Sequence, residues 1–323
     1  MSWIELPNPN QEQKDLLTGS ALVVLDKQVL EIAGTDRLSW LNDMLSQKLD
    51  DLQPGQSVEA LWLDAQGRVL RDFHISDDGQ KTYLITFSQG FEEFQNSIAR
   101  MIFRAQVVLQ HRTDLLAVGS FNQPVSGAEL SWKDPWPEVA PGGWRYGVLP
   151  EVDWSYFESL VTALPAEQSS VPQAALEALR VAARRPAGPN EIDERSIPHE
   201  YDWLATAVHL HKGCYRGQET VAKVHNLGAP PRRMVFLHLD GSGHLPPEIG
   251  DEVIAEETIG KITSVGNHFE MGPIALAVIK RNSVLKNVSV KLSSGTLIAA
   301  TVEEIVPSDA GGVVDLGDFR KKR

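Results

Sequence analysis

Apolar residues in the first part of the chain recur at two spacings, one suited to strands and one to helices. In "ALVVLDKQVLEIAG", residues 21–34, two apolar runs flank Asp26 and Lys27 and stop at Gly34, which predicts a hairpin. "TDRLSWLNDMLSQKLDDL" then sets Leu38, Leu41, Leu45 and Leu49 three or four residues apart, predicting a helix with a narrow apolar stripe and Thr35 as its N-cap. "SVEALWLDAQGRVLRDFHI" alternates on either side of the turn "DAQG", and "DDGQKTYLITF" adds a further turn and strand. "FEEFQNSIARMIF" places Phe91, Phe94, Ile98 and Met101 on one helical face, and strands follow around "AQVVLQ" and "LLAVGS". This order of elements predicts an α+β fold, an antiparallel sheet with helices on one face, rather than a parallel doubly wound one.

Between about residues 120 and 172 the periodicity fades, and "QPVSGAELSWKDPWPEVAPGGW" is rich in Pro, Gly and Trp. Long irregular segments of this kind serve as functional lids or as surface insertions. Trp132, Trp136 and Trp144 would either cover an aromatic ligand or pin the loop by ring packing. "VPQAALEALRVAARRPAG" predicts a helix opened near Pro172 and closed by Pro186. After "PPRR" the pattern becomes strand after strand with Gly turns, which predicts a small β-barrel over 232–307 and a frayed basic tail over 308–323.

Composition narrows the function. The chain has 323 residues and a formal net charge of -13, a field that repels polyphosphate backbones, so no stable nucleic-acid partner is expected. No apolar run approaches the roughly 18 residues needed to span a bilayer, and the first residues lack the order of a secretory signal, so a cytoplasmic protein without a membrane partner is expected. The single cysteine, Cys214, cannot form an internal disulfide. His209, His211 and His225 lie near it in sequence, but their spacing matches no standard metal site, and no resident metal is expected. A cluster at Cys214 would need ligands from elsewhere. Phosphate-cradling Gly-rich loops, nucleophile elbows and paired C-x-x-C motifs are all missing from the sequence.

"KGCYRGQE", residues 212–219, resembles the K-G-C-Y-x-G-Q-E signature of the YgfZ-type folate-binding proteins, in the superfamily of the glycine cleavage T-protein (aminomethyltransferase). "EIDERSIPHE", "IGKITS" and "LDAQGRVLRDF" are similar to further T-protein segments, so the likeness extends over most of residues 20–305. The resemblance implies a T-protein-like folate-binding unit over 20–231, built of two intertwined antiparallel α/β sub-domains, after an N-terminal extension over 1–19 and before the barrel. It implies tetrahydrofolate or a one-carbon derivative as cofactor, and iron–sulfur client or assembly proteins as partners. By position, Glu200 matches the carboxylate that recognises the pterin, and Asp72 matches the catalytic carboxylate.

The residues themselves leave alternatives open. Glu200 would accept the adjacent N–H donors of a pterin in a fork, or serve as a helix-start carboxylate after Pro198. Asp72 would face a ligand, or face outward and pair with Arg68 or Arg71. Cys214 and Lys212 are assigned with Asp72 to the chemistry, Lys212 favouring the thiolate, against an inert buried thiol. Gly213 and Gly217 allow a tight exposed loop, Tyr215 and Gln218 shape it, and Glu219 holds Lys212; with Glu200 and Asp72 these five make up the expected folate-binding set.

The sequence departs from the T-protein in two places. It has no clear equivalent of the long N-terminal extension before residue 20, and "HNLGAPPRRM" does not align with the folate-contacting arginine segment. Support of iron–sulfur assembly or repair, including in tRNA-modifying enzymes, is therefore the leading expectation. A folate-dependent aminomethyltransferase or demethylase, and a non-catalytic folate-binding scaffold, are its alternatives.

Overall fold

The structure is a computed structural model and describes residues 9–139, 144, 154–243 and 245–308. Most of the expected tail and residues 1–8 of the expected extension lie outside those described, as do residues 140–143 and 145–153 of the irregular segment. The first half contains α1 (Pro9–Leu17), β1 (Ala21–Val24), β2 (Lys27–Ala33), α2 (Arg37–Met44), β3 (Ser57–Leu63), β4 (Val69–Asp77), β5 (Lys81–Phe87), α3 (Phe91–Ala99), β6 (Val108–His111) and β7 (Leu116–Phe121). There follow β8 (Leu130–Lys133), α4 (Trp136–Val139), β9 (Tyr156–Val161), β10 (Ser169–Val171), α5 (Gln173–Ala182), a 3-10 turn (Pro198–Glu200) and α6 (Gln218–Leu227). The last six strands are β11 (Arg232–Leu239), β12 (Glu252–Ile254), β13 (Thr258–His268), β14 (Gly272–Lys280), β15 (Ser289–Lys291) and β16 (Leu297–Glu304).

The expected hairpin over residues 21–34 does not form. β1 joins one sheet, in the order β10-β1-β7-β9-β8, and β2 joins another, in the order β3-β4-β5-β2-β6. The link is too short for the two strands to separate gradually: the Leu25 N–H is taken by the Ala117 carbonyl and the Lys27 N–H by that of Leu25, so the chain turns out of one sheet directly into the other. The first sheet therefore takes its strands from both sides, in sequence, of the second, whose strands β2–β6 run consecutively between β1 and β7. β1 pairs with β10 in parallel, whereas its other partner and the whole second sheet are antiparallel.

The helix expected through Leu49 ends at Met44. Leu45 and Leu49 are still buried, but Ser46 leaves the helix to donate its hydroxyl to the Ala207 carbonyl, and its N–H goes to Leu61. Phe91, Phe94 and Ile98 of α3 bury against the second sheet, where Phe94 meets Trp62 at 5.2 Å and Phe73 at 5.1 Å between ring centroids. Trp132, Trp136 and Trp144 are buried in the core of the first sheet, so their rings pin the irregular segment rather than cover a ligand. The final six strands close into a barrel in the order β11-β14-β13-β12-β15-β16. α5 lies close against it, for a side chain at Gly266 would approach the Ala178 Cα to 2.8 Å. Among the described residues no helix is long and apolar enough to cross a membrane.

Candidate functional site

Along β4, side chains alternate between two buried environments. Phe73 and Ile75 enter the core beneath α3, while Asp72, His74 and Ser76 face the other sheet, where the Ser76 hydroxyl reaches the Ser131 carbonyl and His74 stacks on Trp132 with centroids 3.7 Å apart. Asp72 is thus turned inward. The alternative pairing with Arg71 is not made: that guanidinium lies over the Phe87 ring and donates to the carbonyls of Phe87 and Gln89. Burial pulls Arg71 down to about 10, against the opposing pull of Asp72.

Asp72 and His74 line a small cavity of about 20 Å3, together with Lys27, Thr86, Phe87 and Gly188. One Asp72 oxygen accepts the Gly188 N–H at 3.1 Å, and the other, Oδ1, is buried with no hydrogen-bond partner. Such an atom costs about 1–3 kcal/mol unless something binds it. Gly188 is held tightly here, since a Cβ would come within 2.4 Å of Phe87 and 2.7 Å of Asp72 Oδ1. The segment 184–191 that carries it is tied at both ends. Arg185 ion-pairs with Glu59 and Asp134, and Glu191 accepts the hydroxyl of Ser264, the serine of "IGKITS". The barrel therefore braces one wall of the cavity.

Sequence reasoning missed the charges behind this cavity. Glu158 of β9 is 2% exposed, receives Lys27 Nζ at 2.5 Å on Oε1, and lies 2.8 Å from His74 Nδ1 through Oε2. Burial alone would raise its carboxyl, but the charges and hydrogen bonds of His74 and Lys27 outweigh that and hold it down at about 2. The usable signal was the polar residue at every second position of "DFHIS" and the carboxylate set inside the otherwise strand-like "YFESL".

The signature residues gather elsewhere. Cys214 is exposed, and the "KGCYRGQE" loop packs on the β3–β4 turn, five residues before Asp72 or roughly 15 Å along an extended strand. Gly217 has φ +85°, and a Cβ there would lie 2.6 Å from the Asp64 carbonyl and 2.8 Å from Gly67, so only glycine permits this approach. Gly213 faces open space, Gln218 donates to the Lys212 carbonyl at 3.3 Å, and Tyr215 is buried. Lys212 does not turn to Cys214, nor does Glu219 hold it. Its ammonium caps the end of α2, donating to the carbonyls of Asn42, Leu45 and Gln47 because burial leaves it no other acceptors. Desolvation lowers it to about 8, despite Asp43 and Asp50.

Glu200 is likewise not among the residues lining the cavity. It is fully buried, and Arg232 already fills its carboxylate fork at 3.0 and 2.7 Å, while its Oε2 also accepts the Ile197 N–H. The geometry is that of a turn-start carboxylate neutralised by a cation, its fork already occupied by Arg232. His199 and His225 stand 6.4 Å apart, as do His209 and His211, and among the described residues no three His, Cys, Asp or Glu side chains are grouped to hold a metal. An open cleft of about 590 Å3 beside Pro230, Pro231 and Arg281 is lined by no carboxylate or thiol.

No protein-family model matches the chain. It is 29% identical over 137 residues to a putative chloroplastic transferase of Arabidopsis thaliana, a match covering 41% of this chain but only 29% of that protein. It is 24% identical over 257 residues to the tRNA-modifying protein YgfZ of Yersinia enterocolitica, covering 74% of this chain and 77% of YgfZ. In structure it superposes on the glycine cleavage system aminomethyltransferase T of Bartonella henselae with a TM-score of 0.72 at 15% identity, over 93% of this chain and 89% of the other. Homology to YgfZ and superposition on aminomethyltransferase T thus give this chain a YgfZ-type, T-protein-like fold.

Proposed function

We propose that the cavity at Asp72 binds a reduced folate, and that the protein in this state supports iron–sulfur enzymes, among them tRNA-modifying ones. The observation that carries the reading is the buried, unpartnered Asp72 Oδ1 beside the Phe87 ring, between two sheets. A carboxylate oxygen is the acceptor that a pterin's ring N–H and amino donors require, and an aromatic face suits its flat ring. The donor set fits. The volume fits only when segment 184–191 draws back, because a ligand of this size needs several hundred Å3, on the order of 300 or more. Asp72, Phe87 and Thr86 would hold the ring, with Lys27 and His74 beside it. Bound tetrahydrofolate supplies an amine that carries a one-carbon unit.

The exposed Cys214, on a separate loop, would then face the client protein, while the cavity holds the folate. A second reading, one-carbon transfer within the cavity, is favoured by the acid–base pair of His74 and Glu158 next to Asp72. Calorimetric titration with tetrahydrofolate under anaerobic conditions tests the binding. Asp72→Asn should lose about ten- to a hundredfold in affinity, as expected for a charge-assisted hydrogen bond. Unchanged affinity would remove Asp72 from the site. Restoration of iron–sulfur enzyme activity in a strain lacking its YgfZ-type protein, by wild type but not by Cys214→Ala, tests the role of the thiol.

A further inference from the structure

His74 is held more firmly than a wall residue requires. Its ring lies flat on Trp132, 6° from parallel, and its Nδ1 is 2.8 Å from a Glu158 oxygen. Lys27 Nζ is also 3.0 Å from Nδ1, but its shorter contact is to Glu158 Oε1 at 2.5 Å. A carboxylate at its depressed value cannot donate, so the proton between imidazole and Glu158 belongs to Nδ1. That leaves Nε2 as the exchangeable nitrogen, and no described residue bonds it, in a side chain that lines the cavity two residues from Asp72. A carboxylate that fixes the tautomer and stabilises the charged ring is the arrangement by which an imidazole moves protons.

We propose that His74, positioned by Glu158 and Lys27, is the proton-exchange residue of this cavity, and that an amine-bearing heterocycle binds there with transfer of one proton at Nε2. The proposal rests on the folate reading for its ligand. A proton passes from Nε2 of the imidazolium to a ring nitrogen of the ligand, or returns by the reverse path. The neutral imidazole keeps Nδ1–H on Glu158, and Lys27 remains an ammonium throughout. The other charged or titratable groups around His74 are accounted for. Glu59, directly across β3, is neutralised by Arg185 and accepts the Thr206 hydroxyl; Tyr156 donates to Glu158, and burial raises its phenol well above the usual range; Asp72 faces the ligand; Arg71 points to the opposite side of β4.

Titration calorimetry of the intact protein with tetrahydrofolate, in pairs of buffers of unlike ionisation heat between pH 6 and 8, reads the proton directly. Wild type should exchange a fraction of a proton that varies with pH, up to one. His74→Gln should still bind but exchange none. Binding with no buffer dependence in wild type, or with the same proton count in His74→Gln, would overturn the proposal and leave the folate reading standing. No binding by wild type would overturn both. Nitrogen NMR of labelled imidazoles in the unsubstituted protein supplies a measurement that needs no variant: neutral His74 should carry its proton on Nδ1, and an Nε2-protonated tautomer would refute the assignment.

Discussion

Replacing Glu158 by glutamine keeps the shape of the side chain and removes its charge. Depression of the carboxyl from 4.5 to about 2 corresponds, at about 1.4 kcal/mol per pH unit, to roughly 3 kcal/mol of preference for the ionised form in the folded protein. Because Glu158 is buried, solvent screening takes little from this figure. Glutamine stands in for the protonated acid, so Glu158→Gln should destabilise the protein by about 3 kcal/mol at pH 7. The pH dependence has a definite sign. A carboxyl whose folded value lies below its unfolded one contributes fully above about pH 4.5 and loses that contribution as pH falls toward 2. The gap between wild type and variant should therefore still be present at pH 5 and narrow as pH falls from about 4.5 toward 2. Urea unfolding followed by tryptophan fluorescence, with Trp132 stacked on His74 as one reporter, measures the gap at each pH. A difference under about 1 kcal/mol at pH 7, or one that stays constant to pH 3, would refute a charged Glu158 held by Lys27 and His74.

Four further outcomes follow from the geometry. Glu200→Gln should cost about 2 kcal/mol of stability by weakening the Arg232 fork, while calorimetry on the folded variant should find folate affinity unchanged. Cys214 should react with a thiol reagent in the native protein, and Lys212→Met should leave the rate within about twofold, because that ammonium sits on the carbonyls closing α2. The same Lys212→Met substitution should lower the melting temperature. Gly217→Ala should destabilise by at least about 1–2 kcal/mol, from the left-handed backbone alone, with the close Asp64 carbonyl adding to it; chemical denaturation would detect this.

Local patterns carried much of the architecture. Apolar spacing marked α3, α5 and the run of barrel strands, because a helix or strand buries one face wherever it is placed and that need is written at periods of 3.6 and 2. The eight residues 212–219 stood out through their resemblance to a known signature, and within them Gly217 answers a steric demand that no other residue meets. Tertiary structure decided what each polar group faces. Two apolar runs around Asp26 look the same whether they fold on each other or enter different sheets, and only the partners β7 and β5 separate the cases. Glu200 and Glu158 are both carboxylates in the sequence, yet one meets Arg232 and the other meets His74 and Lys27 behind a cavity. The interaction energy of a buried charge depends on groups within a few ångströms, and here those groups come from strands far apart along the chain, so the site was set by the way the two sheets interlock.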